Sequence, residues 1–162
     1  MLNNKIDVWK KAQTIDLKIS KDIKPGFDIW FDKNVPEKTR AKLRGFIVWV
    51  EKNYNIPVTC WVDFEYKHYL KQNDGKRVGY IFEWCEFDNY PVFDNMENIP
   101  TLRLPVRDEY YTIEEILTSF IEGISDYYAW LCNIVDESYV PDENEVENIL
   151  QKYLRSSEHT KY

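Results

Sequence analysis

Hydrophobic positions recur with a helical period in three segments of the chain and alternate with polar positions in the segments between them. The first helical segment follows Asn34, a residue suited to capping a helix, and Pro36, a residue suited to opening one. Apolar residues then recur at helical spacing as far as about Tyr54, so that they would share one face of the helix. They are Leu43, Phe46, Ile47, Val50 and Tyr54. This pattern predicts a long helix that buries one face.

Two stretches alternate between apolar and polar residues and therefore predict strands. The shorter one runs from Phe27 to Asp32. The longer one follows Pro57, and its apolar face consists of Val58, Cys60, Val62, Phe64 and Tyr66. Each stretch is expected to bury one face against the helices.

The segment after the longer strand predicts further β-structure. Asp74 and Gly75 suit the positive φ angles of a tight hairpin turn, so residues 79–87 are expected to form the returning strand. Residues 99–106 give another short strand, which has a proline near each end. Prolines in these positions favour an edge strand or a strand boundary.

The clearest helix signal begins at Thr112, because Glu115 three residues later completes a capping box. One face is broadly apolar and comprises Ile113, Ile116, Leu117, Phe120, Ile121, Ile124, Tyr128 and Leu131. The opposite strip is small or acidic and comprises Thr118, Ser119, Glu122, Ser125, Asp126 and Ala129. A last helix is predicted from about Asp142 through Leu154.

The order of helix, strands, helix and helix predicts an α+β fold. In this fold a small, twisted, mixed β-sheet is backed by the long N-terminal helix and followed by the two later helices. The 162 residues are most simply one domain, with 27–154 as its core. Residues 1–26 are an N-terminal arm that forms a short helix and strand or hangs loosely, and 155–162 are expected to be a frayed tail.

Composition narrows the classes of partner. The net charge of −7 would repel a nucleic-acid backbone or an anionic lipid surface, and the longest apolar runs are far too short to span a bilayer. Cys60, Cys85 and Cys132 are isolated among apolar residues and are interpreted as buried, reduced thiols. With no signal-peptide pattern at the N-terminus, a cytoplasmic location is the prediction.

Common catalytic patterns are missing from the sequence. Only two histidines occur, His68 and His159, and neither lies in a motif that pairs it with a nucleophile; glycine-rich phosphate loops are also absent. An acidic loop that contains Asp88, Asp94 and Glu97 carries oxygen ligands of the kind calcium prefers. Its spacing fits no EF-hand, so a solvated loop is the favoured interpretation.

Glu122 and Asp126 remain as candidate site residues. Four residues apart on a helix, they project from the same face, either as part of an ion site or as an ordinary solvated surface. A third acid could come from the last helix, which carries Glu143, Glu145 and Glu147. Gly123 costs about 1 kcal/mol relative to alanine in a helix, which indicates close packing or a groove at this point.

Residues 116–130, ILTSFIEGISDYYAW, resemble the active-site helix of small zincin-type metallopeptidases of the minigluzincin kind. That helix carries H-E-x-x-H followed by aromatic residues. Aligning the aromatic residues places Glu122 and Asp126 at the two zinc-binding histidines and Gly123 at the general-base glutamate. Residues 143–150 resemble the helix of the third ligand, with Glu145 at its position. The resemblance covers residues 30–154 and implies a zincin-like fold.

The departures from the motif imply that the resembled activity is lost. Zinc sites of this kind use neutral imidazoles, and the glutamate that moves the proton contributes about 10²–10⁴ in rate. We therefore expect a non-catalytic protein, a pseudo-metallopeptidase without cofactor that acts as a binding or regulatory module, with a protein or peptide as the candidate partner. Two alternatives stay open. One is a metal-binding protein or an enzyme of a new type, with a carboxylate-only site of Glu122, Asp126 and Glu145 for calcium, magnesium or manganese; the other is a small structural or interaction protein unrelated to zincins.

Overall fold

The computed structural model describes residues 6–84, 90–93, 99–134 and 139–161 and has an α+β fold. Its helices are α1 (Val8–Thr14), α2 (Glu37–Asn53), α3 (Ile113–Leu131), α4 (Glu143–Leu154) and α5 (Ser157–Thr160). Its strands are β1 (Lys18–Ile19), β2 (Phe27–Phe31), β3 (Cys60–Glu65), β4 (Leu70–Lys71), β5 (Arg77–Val78), β6 (Ile81–Glu83), β7 (Val92–Phe93) and β8 (Thr101–Pro105). The predicted fold class is confirmed.

A four-stranded mixed sheet in the order β2-β3-β8-β6 forms the centre of the molecule. Strands β2, β3 and β8 are parallel, and β6 runs antiparallel to β8 at one edge. The parallel pair β1-β7 and the antiparallel hairpin β4-β5 are separate two-stranded sheets. Strands β2 and β3 are parallel, and α2 provides the crossover that parallel neighbours require.

Aromatic side chains join the helices to the inner face of the sheet. The ring of Phe120 on α3 meets Phe46 of α2, Phe27 of β2 and Phe64 of β3 edge-on, with centroids 5.2, 5.7 and 5.6 Å away. Pairs in this geometry are worth about 0.5–1.5 kcal/mol beyond their area burial. The core therefore lies between one face of the sheet and helices α2 and α3.

Several local predictions are confirmed. The capping box at Thr112 and Glu115 forms with both of its hydrogen bonds, and Asp142 caps α4. Burial alternates along β3 as expected, and Gly75 takes a positive φ of 84° in the β4-β5 turn. These features depend on neighbours a few residues away, which is why sequence patterns capture them.

One strand prediction and one capping prediction are wrong, and a third prediction is right in one of its two alternatives. β8 is not an edge strand, because it lies between β3 and β6. Its prolines mark its boundaries instead, since Pro100 precedes it and Pro105 is its last residue. Residues 79–84 do not return along the hairpin, since β5 closes it and β6 pairs with β8 instead; the rest of the predicted strand, residues 85–87, lies outside the described residues. Asn34 does not cap α2, whose N-cap is Pro36.

The two ends of the described chain are packed. In the N-terminal arm α1 buries Val8, Trp9 and Ala12 in the core, and β1 pairs with β7. Fraying was expected from residue 155, but residues 157–160 form the short helix α5. Glu158 in this helix is buried and forms an ion pair with Lys52 of α2, which holds the tail against the domain.

Candidate functional site

Helix α3 presents Glu122 and Asp126, here called the acid pair, toward the segment that enters β6. Both side chains are half-buried. The close approach of that segment is made possible by Gly79, where a Cβ atom would lie 3.3 Å from Ser119 Oγ on α3. This approach brings Tyr80 next to the acid pair.

Asp126 accepts a hydrogen bond from the hydroxyl group of Tyr80. Burial raises the pKa of Asp126 to about 6, with Glu122 adding to the rise and the Tyr80 bond opposing it. Burial and the charge of Asp126 also raise the pKa of Tyr80 above its usual range. Tyr80 therefore stays a neutral donor, and Asp126 is a carboxyl group that titrates near neutral pH.

The first residue of α4, Glu143, acts on Glu122 through its charge. Burial raises the pKa of Glu122, and the charge of Glu143 raises it further. The resemblance had assigned the third position to Glu145.

Glu145 lies in a groove between α1 and α4 that has a volume of about 610 Å³. Burial raises its pKa to about 8, helped by a hydrogen bond with Asp7 and by the charges of Asp7 and Asp142. Its Oε1 atom is buried, and none of the described residues donates a hydrogen bond to it. The backbone N–H of Trp9 bonds to the same carboxyl group and opposes the rise in its pKa.

The structure therefore brings together two of the three predicted carboxylates. Glu122 and Asp126 share one site, whereas the charges that act most strongly on Glu145 belong to Asp7 and Asp142. Within the described residues, no group of three or more His, Cys, Asp or Glu side chains is arranged to hold a metal ion. The acidic loop with Asp88, Asp94 and Glu97 lies outside these residues, as does Cys85.

Gly123 lies on the side of α3 that packs against the sheet. A Cβ atom on this residue would lie 2.3 Å from Leu102 Cδ1 and 2.8 Å from Leu102 Cδ2 of β8. Leu102 is fully buried. The glycine is thus explained by close helix–sheet packing, one of the two possibilities that the sequence left open.

Ser125 lies on the strip of α3 that was predicted to be solvated or grooved. Trp9 of α1 covers it, and the indole Nε1 donates a 2.8 Å hydrogen bond to Ser125 Oγ, which donates in turn to the carbonyl oxygen of Ile121. Trp9 also meets Tyr54 and Tyr128 edge-on, at centroid distances of 4.9 and 5.0 Å. The N-terminal arm fills this part of the strip.

Sequence reasoning missed the side chains that flank the acid pair and the strip, namely Trp9, Tyr80 and Tyr139. The Tyr139 hydroxyl group lies 3.5 Å from the Ser125 carbonyl oxygen, and burial followed by the charges of Asp126 and Glu145 raises its pKa. A local signal existed only for Tyr80, since the preceding Gly79 permits a close backbone approach. The others are brought to α3 by long-range packing.

Comparisons with known proteins return nothing for this chain: no family model, curated protein or solved structure matches it. In the described residues, no helix combines the length and the apolar character that crossing a bilayer requires.

Proposed function

We propose that this protein is a non-catalytic, zincin-like protein, a pseudo-metallopeptidase that acts as a binding or regulatory module. The resemblance requires a long helix, a strand after Pro57, a strand near Gly79 and another strand before the motif helix. The chain follows this order with α2, β3, β6, β8 and α3. This order supports the proposed ancestry.

The packing around Gly123 is the observation that supports the proposed loss of activity. A hydrolytic zinc site needs a general base beside the metal-bound water. At the aligned position, the space where a glutamate side chain would begin is filled by Leu102. A single reversion to glutamate would therefore meet the sheet, so the loss extends beyond one side chain to the packing around it.

A cytoplasmic location belongs to the same proposal. Cys60 and Cys132 are buried and unpaired, and burial raises the pKa of both thiols. Thiols in this state are inert toward oxidation and suit a reducing compartment.

Zinc binding by a partly restored motif tests the ancestry. In the double variant Glu122→His/Asp126→His, two imidazoles one turn apart face Glu143, a third possible ligand. A matched control, Lys38→His/Lys42→His, places the same pair on α2. If α3 retains a zincin site, the first variant should bind zinc about tenfold or more tightly than the control, as measured by competition with a chromogenic chelator.

The third ligand is checked by adding Glu143→Gln to the restored variant, which should remove most of that advantage. Equal zinc affinity in the restored and control variants would contradict a zincin origin. The unmodified protein should carry well below one zinc ion per chain by elemental analysis. Stoichiometric zinc together with hydrolysis of an unfolded protein substrate would overturn the non-catalytic assignment.

A further inference from the structure

The face of the central sheet that points away from α2 and α3 carries exposed tryptophans among acidic side chains. Strand alternation and register place one set of residues on this face. The outer sheet face, as it is called here, comprises Asp28, Trp30, Trp61, Asp63, Glu65, Ile81, Glu83, Thr101 and Arg103. It is separate from the acid pair on α3.

Tryptophan and aspartate form a two-by-two block at the β2 edge of this face. Asp28 lies opposite Trp61, and Trp30 lies opposite Asp63, in neighbouring parallel strands. The two tryptophans are 53% and 44% exposed. Exposed tryptophan is costly in an isolated protein and is enriched where proteins bind one another, so this block has the composition of an interface.

The acids of the outer sheet face are only partly compensated. Arg103 lies 2.8 Å from Glu65 and 3.4 Å from Glu83, and Lys67 lies 3.0 Å from Glu65. Asp28 and Asp63 form no ion pair among the described residues. Burial, followed by the charges of neighbouring acids, raises the pKa of Asp63 although Arg103 opposes the rise. Among the described residues, the two carboxylates beside the indoles thus lack a cation at contact distance.

We propose that the outer sheet face binds a basic, extended segment of a partner protein. Lysine or arginine side chains of the segment lie against the indoles of Trp30 and Trp61 and pair with the carboxylates of Asp28 and Asp63. A cation is attracted both by the face of an indole ring and by an adjacent carboxylate. The tryptophans and the aspartates of the block therefore favour the same ligand, a positively charged side chain. A second copy of this chain fits poorly, because it would set acids against acids.

This proposal does not depend on the zincin ancestry, since it uses residues of β2 and β3 alone. Its test uses a fluorescein-labelled peptide of alternating lysine and glycine, titrated with the full chain at low and at physiological salt. Binding is followed by fluorescence anisotropy. Asp28→Asn/Asp63→Asn is expected to weaken binding about tenfold, and Trp30→Ala/Trp61→Ala by a similar factor.

The matched control removes the same charge elsewhere. Asp16 and Asp108 are exposed, and Asp16→Asn/Asp108→Asn is expected to change the affinity less than about twofold. Equal weakening by both aspartate pairs would overturn the proposal in favour of general attraction between a polycation and an acidic protein. Self-association that Trp30→Ala/Trp61→Ala abolishes, seen by sedimentation, would overturn it in favour of a second copy. Circular dichroism confirms that each variant is folded.

Discussion

Two surfaces of this protein combine tryptophan with polar or acidic side chains, but one is buried within the fold and the other is exposed to solvent. On α3, the polar strip around Ser125 is covered by α1, and Trp9 lies 3% exposed with its indole N–H bonded to Ser125. On the outer sheet face, Trp30 and Trp61 stand beside Asp28 and Asp63 and remain about half exposed. The first surface is covered by the protein's own N-terminal arm, and the second stays exposed.

Burial decides whether an aromatic side chain contributes to the stability of the fold or keeps its surface exposed. In a buried tryptophan, the apolar surface is removed from water and the indole N–H is hydrogen-bonded within the fold. An exposed tryptophan contributes little to folding and keeps its area for association. Substitutions of the two kinds should therefore separate stability from binding.

The largest effect is expected for Trp9→Ala. It removes a buried indole with two edge-on aromatic contacts and should lower the free energy of unfolding by about 3–5 kcal/mol, measured by urea denaturation. Trp30→Ala is the matched control, expected to stay within about 0.5 kcal/mol because the side chain is exposed. Similar small losses for both variants would contradict the docking of α1 on α3.

Sequence patterns predicted the parts of the fold that depend on neighbouring residues. The capping box at Thr112, the alternation of β3 and the bounds of α2 to within a residue or two were all local. The contact between Trp9 and Ser125 joins residues 116 positions apart, and the interior place of β8 follows from which strands pair. Such features depend on tertiary packing, for which periodicity carries no information.

The candidate site was predictable to a similar extent. The helical spacing of Glu122 and Asp126 predicted that both acids project from the same face of α3, and the strip around them was expected to be solvated or grooved. Its partners, Trp9, Tyr80 and Tyr139, come from distant segments. The resemblance assigned the third position to Glu145, whereas the charge of Glu143 acts on Glu122. Two residues on a helix point in different directions, and how α4 docks is a long-range feature that the sequence pattern does not contain.

The next effect concerns the side of α3 opposite the covered strip. Gly123→Ala raises the helix propensity of α3 by about 1 kcal/mol but forces a methyl group against Leu102. Overpacking of this kind costs about 1–3 kcal/mol, so the free energy of unfolding should fall by about 1 kcal/mol or more. Leu102→Ala provides the control background, because it vacates the contacted atoms. In that background Gly123→Ala should be neutral or stabilising by thermal or urea denaturation. An equal loss of stability in both backgrounds would show that the contact between the added methyl group and Leu102 is not its cause.

Substitutions of Asp126 test whether the stability of the protein depends on the hydrogen bond between Asp126 and Tyr80 or on the charge of Asp126. Asp126→Ala leaves the half-buried Tyr80 hydroxyl group without its acceptor and should cost about 1–2 kcal/mol. Asp126→Asn keeps an oxygen acceptor and removes a charge that burial disfavours, so at pH 7 its stability should equal or exceed that of the unmodified protein. Urea denaturation of the three proteins side by side gives the comparison. An asparagine variant as unstable as the alanine variant would indicate that the charge itself is required.

The smallest effect is a pH dependence that arises from the contact between α1 and α4. The pKa of Glu145 is about 8 in the folded protein and 4.5 as its ordinary value, so the folded state holds a proton that the unfolded state releases. This contribution to stability is fully present below pH 4.5 and is lost as the pH rises through 8. Because Glu145 is only partly buried, solvent screening reduces the expected loss to about 1 kcal/mol.

The measurement compares urea denaturation at about pH 6.5 and pH 8.5, a window above most of the titration of Asp126, whose pKa is about 6. Glu145→Gln keeps a donor for Asp7 without a titratable proton, so its stability should be nearly constant across this window. A steeper decline in the unmodified protein than in the variant assigns the effect to the Glu145–Asp7 contact. Because Asp7 caps α1, deprotonation should also speed amide exchange in α1 relative to α3, after correction for the intrinsic rate. Parallel declines in the two proteins would mean that the arm is held by Trp9 alone.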